Sequence, residues 1–161
     1  MHYKDQQNKL HSIDSSEFAY LLPAGSVQIT NEEADAIRLA NTPIPTTDDM
    51  WLKIKAERDR RIQNGGYNVG TKWYHSDTFS RTQQMGLVMM GANIPANTPW
   101  KTMDGSFVIM TQTLASQIFG TAAASDIAIF TAAETHNAAM RASATPHTYN
   151  YLTGWPVAYG E

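Results

Sequence analysis

Short alternations of polar and apolar residues mark the first part of the chain as a small mixed unit. The run Ser26–Ile29 alternates and predicts a half-buried strand. Upstream, the segments on either side of the turn-forming Asp5–Asn8 predict a hairpin. After the strand, Thr30 or Asn31 is placed to cap a helix with an acidic first turn. Residues 1–42 are therefore predicted to form a β-hairpin, a strand and a helix.

A second unit is predicted to begin after a segment that disfavours regular structure. Pro43 and Pro45 lie within residues 43–47. Proline has no backbone N–H to donate, and it biases the residue before it away from the helical conformation. We therefore interpret residues 43–47 as a linker and residues 48–161 as the second unit.

A charged helix is predicted at the start of the second unit, from about Asp48 to Asn64. A threonine just before it can serve as the N-cap, and Gly65–Gly66 marks its end. Its apolar stripe is narrow and begins with Trp51 and Ile54, while the charged residues, Arg61 among them, are expected to stay in water. Such a stripe fits either a solvated surface helix packed on its own unit or a seam that binds a second copy or another protein.

Two hairpins are predicted in the second unit. The first spans Tyr67–His75 and turns near Gly70, and the second surrounds Asp104–Gly105, a pair suited to a type I′ turn. Neighbouring side chains of a strand point to opposite faces, so at most one of Trp73 and Tyr74 can lie in the core of a one-sided hairpin. The other must be exposed or covered by another part of the structure.

Two further helices complete the pattern. Ser76 or Asp77 can cap the first of them. Four apolar residues are expected to anchor that helix: Phe79, Leu87, Val88 and Met90. The second helix is predicted from Gln112 to about Ala142, with a face of mostly small side chains. Hairpins that alternate with helices, without regular βαβ repeats, predict an α+β fold: a small N-terminal β-hairpin/helix unit, then a domain of helices and two β-hairpins with a long C-terminal helix.

Composition excludes several classes of function. The chain has 161 residues, 42% of them hydrophobic, which is enough to bury a core. It has no cysteine, which excludes disulfides and thiolate metal sites. A net charge of −3 with 12 Lys and Arg disfavours nucleic-acid binding, and no stretch approaches the ~20 apolar residues of a membrane span. The expected partner is a protein, with no role for nucleic acid or membrane.

The polar residues do not form a recognisable catalytic or metal-binding motif. His75, Ser76 and Asp77 are consecutive, so their side chains cannot converge as those of a catalytic triad do. Glu134 and His136 lie two residues apart on a predicted helix and point in different directions, so they cannot share a metal ion without other ligands. The chain also lacks a glycine-rich phosphate loop and a nucleophile elbow. We expect no enzyme activity, no metal and no cofactor.

The order of motifs in residues 50–156 resembles a known family. The likeness is carried by Asn64-Gly65-Gly66, by Tyr74, His75, Ser76, Asp77, Ser80 and Arg81 around the first hairpin, by the Asp104-Gly105 hairpin, by the alanine-rich helix and by Gly154-Trp155-Pro156. The family is a domain of unknown function found in many tailed-phage and prophage genomes, usually encoded beside tail-fibre genes. A second likeness, over residues 22–34, is to the openings of phage tail-fibre assembly proteins.

These resemblances imply a phage tail-fibre assembly chaperone or accessory protein. Its partner would be a tail-fibre protein or another tail protein, and assembly into a homo-oligomer is compatible with that role. The alternative is a permanent structural component of the phage tail, fibre or baseplate. A chaperone would act in the host bacterial cytoplasm during assembly, whereas a structural component would remain in the virion tail.

Large side chains beside polar neighbours are the candidate partner-binding residues, because aromatic anchors carry much of the energy of protein interfaces. They lie at the start of the charged helix, in the first hairpin and in the C-terminal tail. The candidates are Trp51, Ile54, Trp73, Tyr74, Tyr149, Tyr151 and Trp155. For each of them, burial within the chain's own core is the competing interpretation.

Overall fold

The computed structural model describes all 161 residues, which divide into a first unit, Met1–Ile44, and a second unit, Pro45–Glu161. The first unit contains an antiparallel sheet of β1 (His2–Lys4), β2 (Leu10–Ser12) and β3 (Val27–Ile29), in the order β2-β1-β3. The predicted hairpin and strand are both present. The central position of β1 arises from its pairing with β3, a long-range contact that the local pattern did not predict.

Helix α1 (Asn31–Ala40) packs on β1 and β2 and begins at a predicted cap. The Thr30 hydroxyl accepts a hydrogen bond from the Glu33 N–H at 3.1 Å, and the Glu33 carboxylate accepts one from the Thr30 N–H at 3.0 Å. This capping box satisfies two backbone donors at the helix start. The core of the unit is small and consists of Ile29, Ala34 and Ile37, with Leu10 packed against them.

Three helices form most of the second unit: α2 (Thr47–Asn64), α3 (Thr78–Met90) and α4 (Gln112–Ala142). Helix α4 contacts both α2 and α3. The predicted extents of α2 and α4 are confirmed, with Thr46 and Thr111 as their N-caps. None of the helices is both long enough and apolar enough to cross a bilayer.

Two separate hairpins complete the second unit, as predicted. Strand β4 (Tyr67–Val69) pairs with β5 (Lys72–Tyr74), and β6 (Pro99–Lys101) pairs with β7 (Phe107–Ile109), both antiparallel. The prediction of a type I′ turn at Asp104–Gly105 is wrong. Only the glycine of this pair has a positive φ, of 81°, whereas a type I′ turn requires positive φ at both central residues.

The second hairpin instead closes with a wider loop. The Thr102 N–H donates to the Ser106 carbonyl at 2.9 Å, so three residues lie between the last paired positions. The Met103 N–H at the tip of this loop donates to the Trp73 carbonyl at 2.9 Å. The Lys72 ammonium also donates to Asp104, at 2.7 Å. Both contacts join the two hairpins to each other.

Buried side chains of the second unit form two clusters. One lies where the hairpins meet α4 and contains Tyr67, Tyr74, Met110, Ala115 and Ile118. The other lies between α2 and α4 and contains Met50, Ile54, Ala133 and Met140, with Trp51, Tyr149, Tyr151 and Trp155 packed against it. The predicted α4 face of mostly small residues places Ala122 against the first cluster and Ala133 in the second, which permits close approach of the neighbouring elements. Ala115, which is buried in the first cluster, was not part of that predicted face.

Several expectations about burial are wrong. Phe79 and Met90 do not anchor α3, since they are 72% and 42% exposed, and the buried residue of that helix is Gln84. Arg61 does not stay in water, since only 6% of it is exposed. Its charge is compensated inside the structure by acceptors from distant parts of the chain, which helical periodicity cannot reveal. Met50, outside the predicted stripe, is also buried.

Candidate functional site

The polar residues that carry the sequence resemblance bind one another and the backbone. The Ser76 hydroxyl is buried and accepts a hydrogen bond from the Gly66 N–H at 2.9 Å. The His75 backbone carbonyl accepts one from the side-chain amide of the buried Gln84 at 2.8 Å. These two bonds fix the segment between β5 and α3 against the start of β4 and against α3 itself.

Asp77 is the N-cap of α3, as predicted. Its carboxylate accepts hydrogen bonds from the Ser80 N–H at 2.9 Å and from the Ser80 hydroxyl at 2.6 Å. These bonds lower the pKa of the Asp77 carboxyl below its usual range, with the Ser80 hydroxyl as the largest cause. The lowered pKa favours a permanently ionised cap and opposes service as a general acid near neutral pH.

Arg81 joins three parts of the second unit. Its guanidinium donates to the two Asp126 carboxylate oxygens of α4 at 2.6 and 3.0 Å, to the Ile62 carbonyl of α2 at 2.9 Å and to the Ser76 carbonyl at 2.6 Å. It also lies 5.2 Å from the centre of the Tyr67 ring. The polar motif residues of this segment therefore all form hydrogen bonds within the second unit. They are Ser76, Asp77, Ser80 and Arg81.

A surface groove lies beside this segment, between α3 and the second hairpin. Its volume is about 420 Å³. It is lined by His75, Phe79, Ser80, Gln83, Pro99, Trp100, Lys101 and Phe107. We call it the Phe79 groove. Phe79 is 72% exposed and Phe107 is 66% exposed, so the groove offers two phenyl rings to solvent.

The polar groups of the Phe79 groove are donors more than acceptors. Lys101 forms no ion pair, and no carboxylate lines the groove. The Trp100 indole N–H is buried and has no hydrogen-bond partner. The groove suits an apolar side chain flanked by a carboxylate, which would pair with the Lys101 ammonium.

The sequence reasoning missed Phe79 and Phe107, although the pattern of β7 contains a signal for the second. Phe107, Val108 and Ile109 are all apolar, yet a strand of a two-stranded hairpin can bury only one face. Val108 packs against the core, and its two neighbours are exposed at 66% and 52%. A strand that is apolar on both faces is thus a sign of an exposed apolar surface.

The first hairpin places its two candidate residues as strand alternation predicts. Tyr74 is only 2% exposed and belongs to the core, so it offers no surface to a partner. Trp73 lies on the opposite face and is half-buried, with its ring centre 6.0 Å from that of Tyr159 in an edge-on arrangement. Tyr159 of the C-terminal segment therefore covers part of Trp73, whose side chain lies outside the core.

The other candidates gather at one cluster between α2, α4 and the C-terminal tail. Ile54 lies at the centre of this cluster and is fully buried, so it cannot contact a partner. Trp51, Tyr149, Tyr151 and Trp155 pack around it and are half-buried. The C-terminal tail thus packs on its own unit. Burial within the chain was the interpretation that competed with partner binding for these residues.

His136 of α4 lies under this tail. It is 8% exposed, its Nδ1 lies 2.9 Å from the Tyr149 hydroxyl, and its ring centre is 4.9 Å from that of Trp155. Burial lowers its pKa, and the positive charge of Arg61 adds to the effect. A second surface cavity of about 510 Å³ adjoins it, lined by α4 residues such as Ala128 and Ala132 and by the tail.

No group of three metal-ligating side chains converges anywhere in the structure. Glu134 is exposed and His136 is buried, in line with their different directions on α4. The fold and the groove together define an α+β protein whose most distinctive surface is apolar and aromatic.

Comparison with known proteins places the second unit in a family. Residues 45–153 match the family described as a domain of unknown function, DUF4376, and the chain belongs to that family. The match begins at the first residue of the second unit. It covers all four strands and all three α-helices of that unit. No curated protein and no solved structure matches the chain.

Proposed function

We propose that this protein is an accessory factor for phage tail-fibre assembly, which binds a segment of a fibre protein in the Phe79 groove. The class of partner follows from the sequence resemblance to phage proteins encoded beside tail-fibre genes. The proposed action is that of a chaperone, which covers apolar fibre surface until the fibre is assembled. It involves no catalysis and no cofactor.

The observation that carries the proposal is the pair of exposed phenyl rings at the Phe79 groove. Phe79 and Phe107 come from different elements, 28 positions apart in the numbering, yet both line one concave surface. Exposed apolar surface of this kind is unfavourable in water and commonly marks a protein-binding site. A partner side chain inserted between the rings would remove apolar area from water on both sides.

The electrostatics of the groove narrow the kind of segment it would bind. Lys101 supplies a positive charge that pairs with no carboxylate of the chain. An extended fibre segment with an apolar side chain next to an acidic residue would place the apolar group against the rings and the carboxylate beside Lys101. Opposite charges at an interface favour the correct partner and speed association more than they raise affinity.

The proposal that the protein is not an enzyme is supported by the roles of its polar residues. Ser76 accepts from Gly66, Asp77 caps α3, and His75 contributes its backbone carbonyl. The Ser76 hydroxyl has no side-chain base as a hydrogen-bond partner, and the Asp77 carboxylate that accepts from the Ser80 hydroxyl is occupied as the cap of α3. Of the aromatic candidates, Trp51, Trp73 and Tyr151 keep part of their surface exposed and remain secondary candidate partner contacts.

The proposal is tested by co-expression of the protein with the products of neighbouring tail genes, followed by pull-down and titration of the captured protein. Phe79→Ala or Phe107→Ala is expected to weaken binding by about 30-fold, the effect of losing an interface anchor of about 2 kcal/mol. Met89→Ala is the matched control, because Met89 is 81% exposed on the same helix but lies outside the groove. Alanine variants of the three secondary candidates belong in the same titration.

Two results would contradict the proposal. One is normal binding by both phenylalanine variants, and the other is capture of no tail protein at all. Mass spectrometry of purified virions separates the two forms of the function. A chaperone should be missing from mature particles, whereas a permanent tail component should be present in fixed ratio to the fibre. A turnover abolished by His75→Ala in a folded protein would overturn the non-enzymatic assignment.

A further inference from the structure

The backbone of β6 is hydrogen-bonded to a neighbouring strand on one side only. This strand pairs with β7 alone, in a two-stranded antiparallel hairpin. In such a pair, every second residue exchanges hydrogen bonds with the residue opposite it, and the residues between direct their N–H and C=O groups outward. The Thr102 N–H donates to the Ser106 carbonyl at 2.9 Å. By alternation from that pair, Trp100 also exchanges bonds with β7, whereas Pro99 and Lys101 face outward.

The outer edge of β6 carries backbone groups that have no hydrogen bond within the chain. They are the Lys101 N–H, the Lys101 carbonyl and the Pro99 carbonyl. Proline has no N–H, so the edge offers a single donor beside its two acceptors. A chain that ran along this edge would therefore form a definite set of main-chain hydrogen bonds.

This outer edge borders the Phe79 groove. All three residues of β6 line the groove: Pro99, Trp100 and Lys101. Side chains of consecutive strand residues alternate between the two faces of a sheet, so a groove lined by all three runs along the edge of the strand and not over one face. Helix α3 forms the opposite wall, through residues such as Phe79 and Gln83. The groove is thus a channel between a free strand edge and a helix.

We propose that the Phe79 groove binds its protein segment as an added antiparallel strand on the outer edge of β6, with an acidic residue opposite Lys101. This inference rests on the proposed function, because it specifies how the segment proposed there is held. An extended chain that joins a free sheet edge gains main-chain hydrogen bonds, and side-chain contacts then determine which sequence binds. Antiparallel pairing is the more stable of the two orientations per residue.

The Lys101 backbone and side chain together specify the register. In an antiparallel pair, the residue opposite Lys101 accepts from the Lys101 N–H and donates to the Lys101 carbonyl. Its side chain lies on the same face as the Lys101 side chain, so a carboxylate there would form a cross-strand ion pair. The residue two positions later in the added strand would donate to the Pro99 carbonyl. The pairing thus uses every free backbone group of the edge.

Pro99 and Lys101 make this edge selective. Proline and lysine on an edge strand oppose pairing with indiscriminate strands. The Lys101 ammonium pairs with no carboxylate of the chain, so an added strand without an acid would leave this charge uncompensated beside its side chains. A strand that brings a carboxylate removes this obstacle. The edge therefore discriminates between partners by charge.

The neighbours of the acidic residue are expected to be apolar. They point to the opposite face of the added strand, and the residue after the acid lies opposite Trp100. The Trp100 side chain packs against the first core cluster, so this face of the hairpin is apolar. Aromatic and β-branched residues form favourable cross-strand pairs. The segment that fits the edge is therefore an acidic residue between two β-branched apolar residues.

The pairing is tested with a short blocked peptide that has a central glutamate between two valines, titrated into the full chain and followed by NMR. Methylation of the glutamate backbone nitrogen removes the donor to the Lys101 carbonyl and should weaken binding by about 10-fold or more. Methylation of the nitrogen of the second valine is the matched control. That N–H points away from β6 in the proposed pairing, so its loss should leave the affinity within about 3-fold.

Hydrogen exchange of individual amides shows where the added strand lies. The Lys101 amide has no hydrogen bond in the free chain and should become protected when the peptide binds. The amides of Phe107 and Ile109 are internal controls, because they face the outer edge of β7 and also have no partner. They should exchange equally fast with and without peptide.

Three results would overturn the added strand: no binding of the unmethylated peptide at millimolar concentration, a loss from valine methylation as large as that from glutamate methylation, or protection of the β7 amides without that of Lys101. Failure of the proposed function has a different signature. Capture of a tail protein that depends on Phe79, together with any of these results, would leave the proposed function in place and reject the strand. Peptide binding as described, without capture of any tail protein, would reject the phage partner and support the added strand.

Discussion

Arg61 and Glu161 form a bidentate ion pair between α2 and the C-terminal segment, with distances of 3.0 Å from Nη1 to Oε2 and 2.8 Å from Nη2 to Oε1. The same guanidinium donates to Glu57 at 2.7 Å and to the Pro156 carbonyl at 3.0 Å. Only 6% of Arg61 is exposed, so its charge depends on these acceptors. The C-terminal segment is thereby tied to the first helix of the second unit.

Removal of Arg61 should be much more costly than removal of the Glu161 charge. Arg61→Ala removes a nearly buried guanidinium and its hydrogen bonds to Glu161 and the Pro156 carbonyl, although Arg60 still pairs with Glu57, and should lower the free energy of unfolding by about 2 kcal/mol. The Glu161 side chain is 43% exposed, so solvent screens the pair and Glu161→Gln should cost about 1 kcal/mol or less. Urea unfolding of both variants measures the difference. Equal losses would mean that the burial of Arg61 does not govern the energy of the cluster.

Arg81→Lys tests whether the shape of the guanidinium or only its charge joins the second unit. The arginine makes four hydrogen bonds, to the Asp126 carboxylate and to two backbone carbonyls. A lysine ammonium cannot reach all of these acceptors, so we expect a loss of about 2 kcal/mol. Arg60→Lys is the control, because Arg60 is half exposed and binds only acidic side chains. If the two replacements cost the same in urea unfolding, Arg81 acts as a charge alone.

Asp77→Ala should cost about 1 kcal/mol through loss of the α3 cap. Asp77→Asn retains a side-chain oxygen that can accept the same hydrogen bond, so it should lower the stability by only a few tenths of a kcal/mol. Because hydrogen bonds hold the pKa of the Asp77 carboxyl below 3.8, its ionic contribution is complete above that pH and is lost as the pH falls further. Thermal unfolding at pH 7 and at pH 3 measures both effects. An equal loss for alanine and asparagine would show that the cap is not the source of the stability.

Local features of this chain were predictable where neighbouring residues determine them. Thr46 and Thr111 lie directly before helical patterns and cap α2 and α4, and the positions of both hairpins followed from turn residues. The burial of only one of Trp73 and Tyr74 in the core followed from strand alternation, which depends only on backbone geometry. In each case the interaction joins residues close together in sequence.

Features that depend on contacts between distant residues could not be predicted in the same way. The burial of Arg61 requires Glu161, and the role of Arg81 requires Asp126, 45 positions later. Phe79 is a large apolar residue of the kind found in cores, but it lines an open groove, because the buried position of α3 is Gln84. Since the Phe79 groove exists only after two distant elements meet, its residues were absent from the candidate set.

His136 should make the protein less stable as the pH falls below about 6.5. Burial lowers its pKa in the folded state, so the unfolded chain binds the proton more tightly, and stability is lost as the pH falls from the unfolded pKa toward the folded one. The loss can reach about 1.4 kcal/mol per pH unit in that range. Urea unfolding at pH 7.5, 6.5 and 5.5 should show this slope in the wild type and a smaller slope in His136→Gln. A His136→Gln protein with an unchanged slope would assign the pH dependence to other groups.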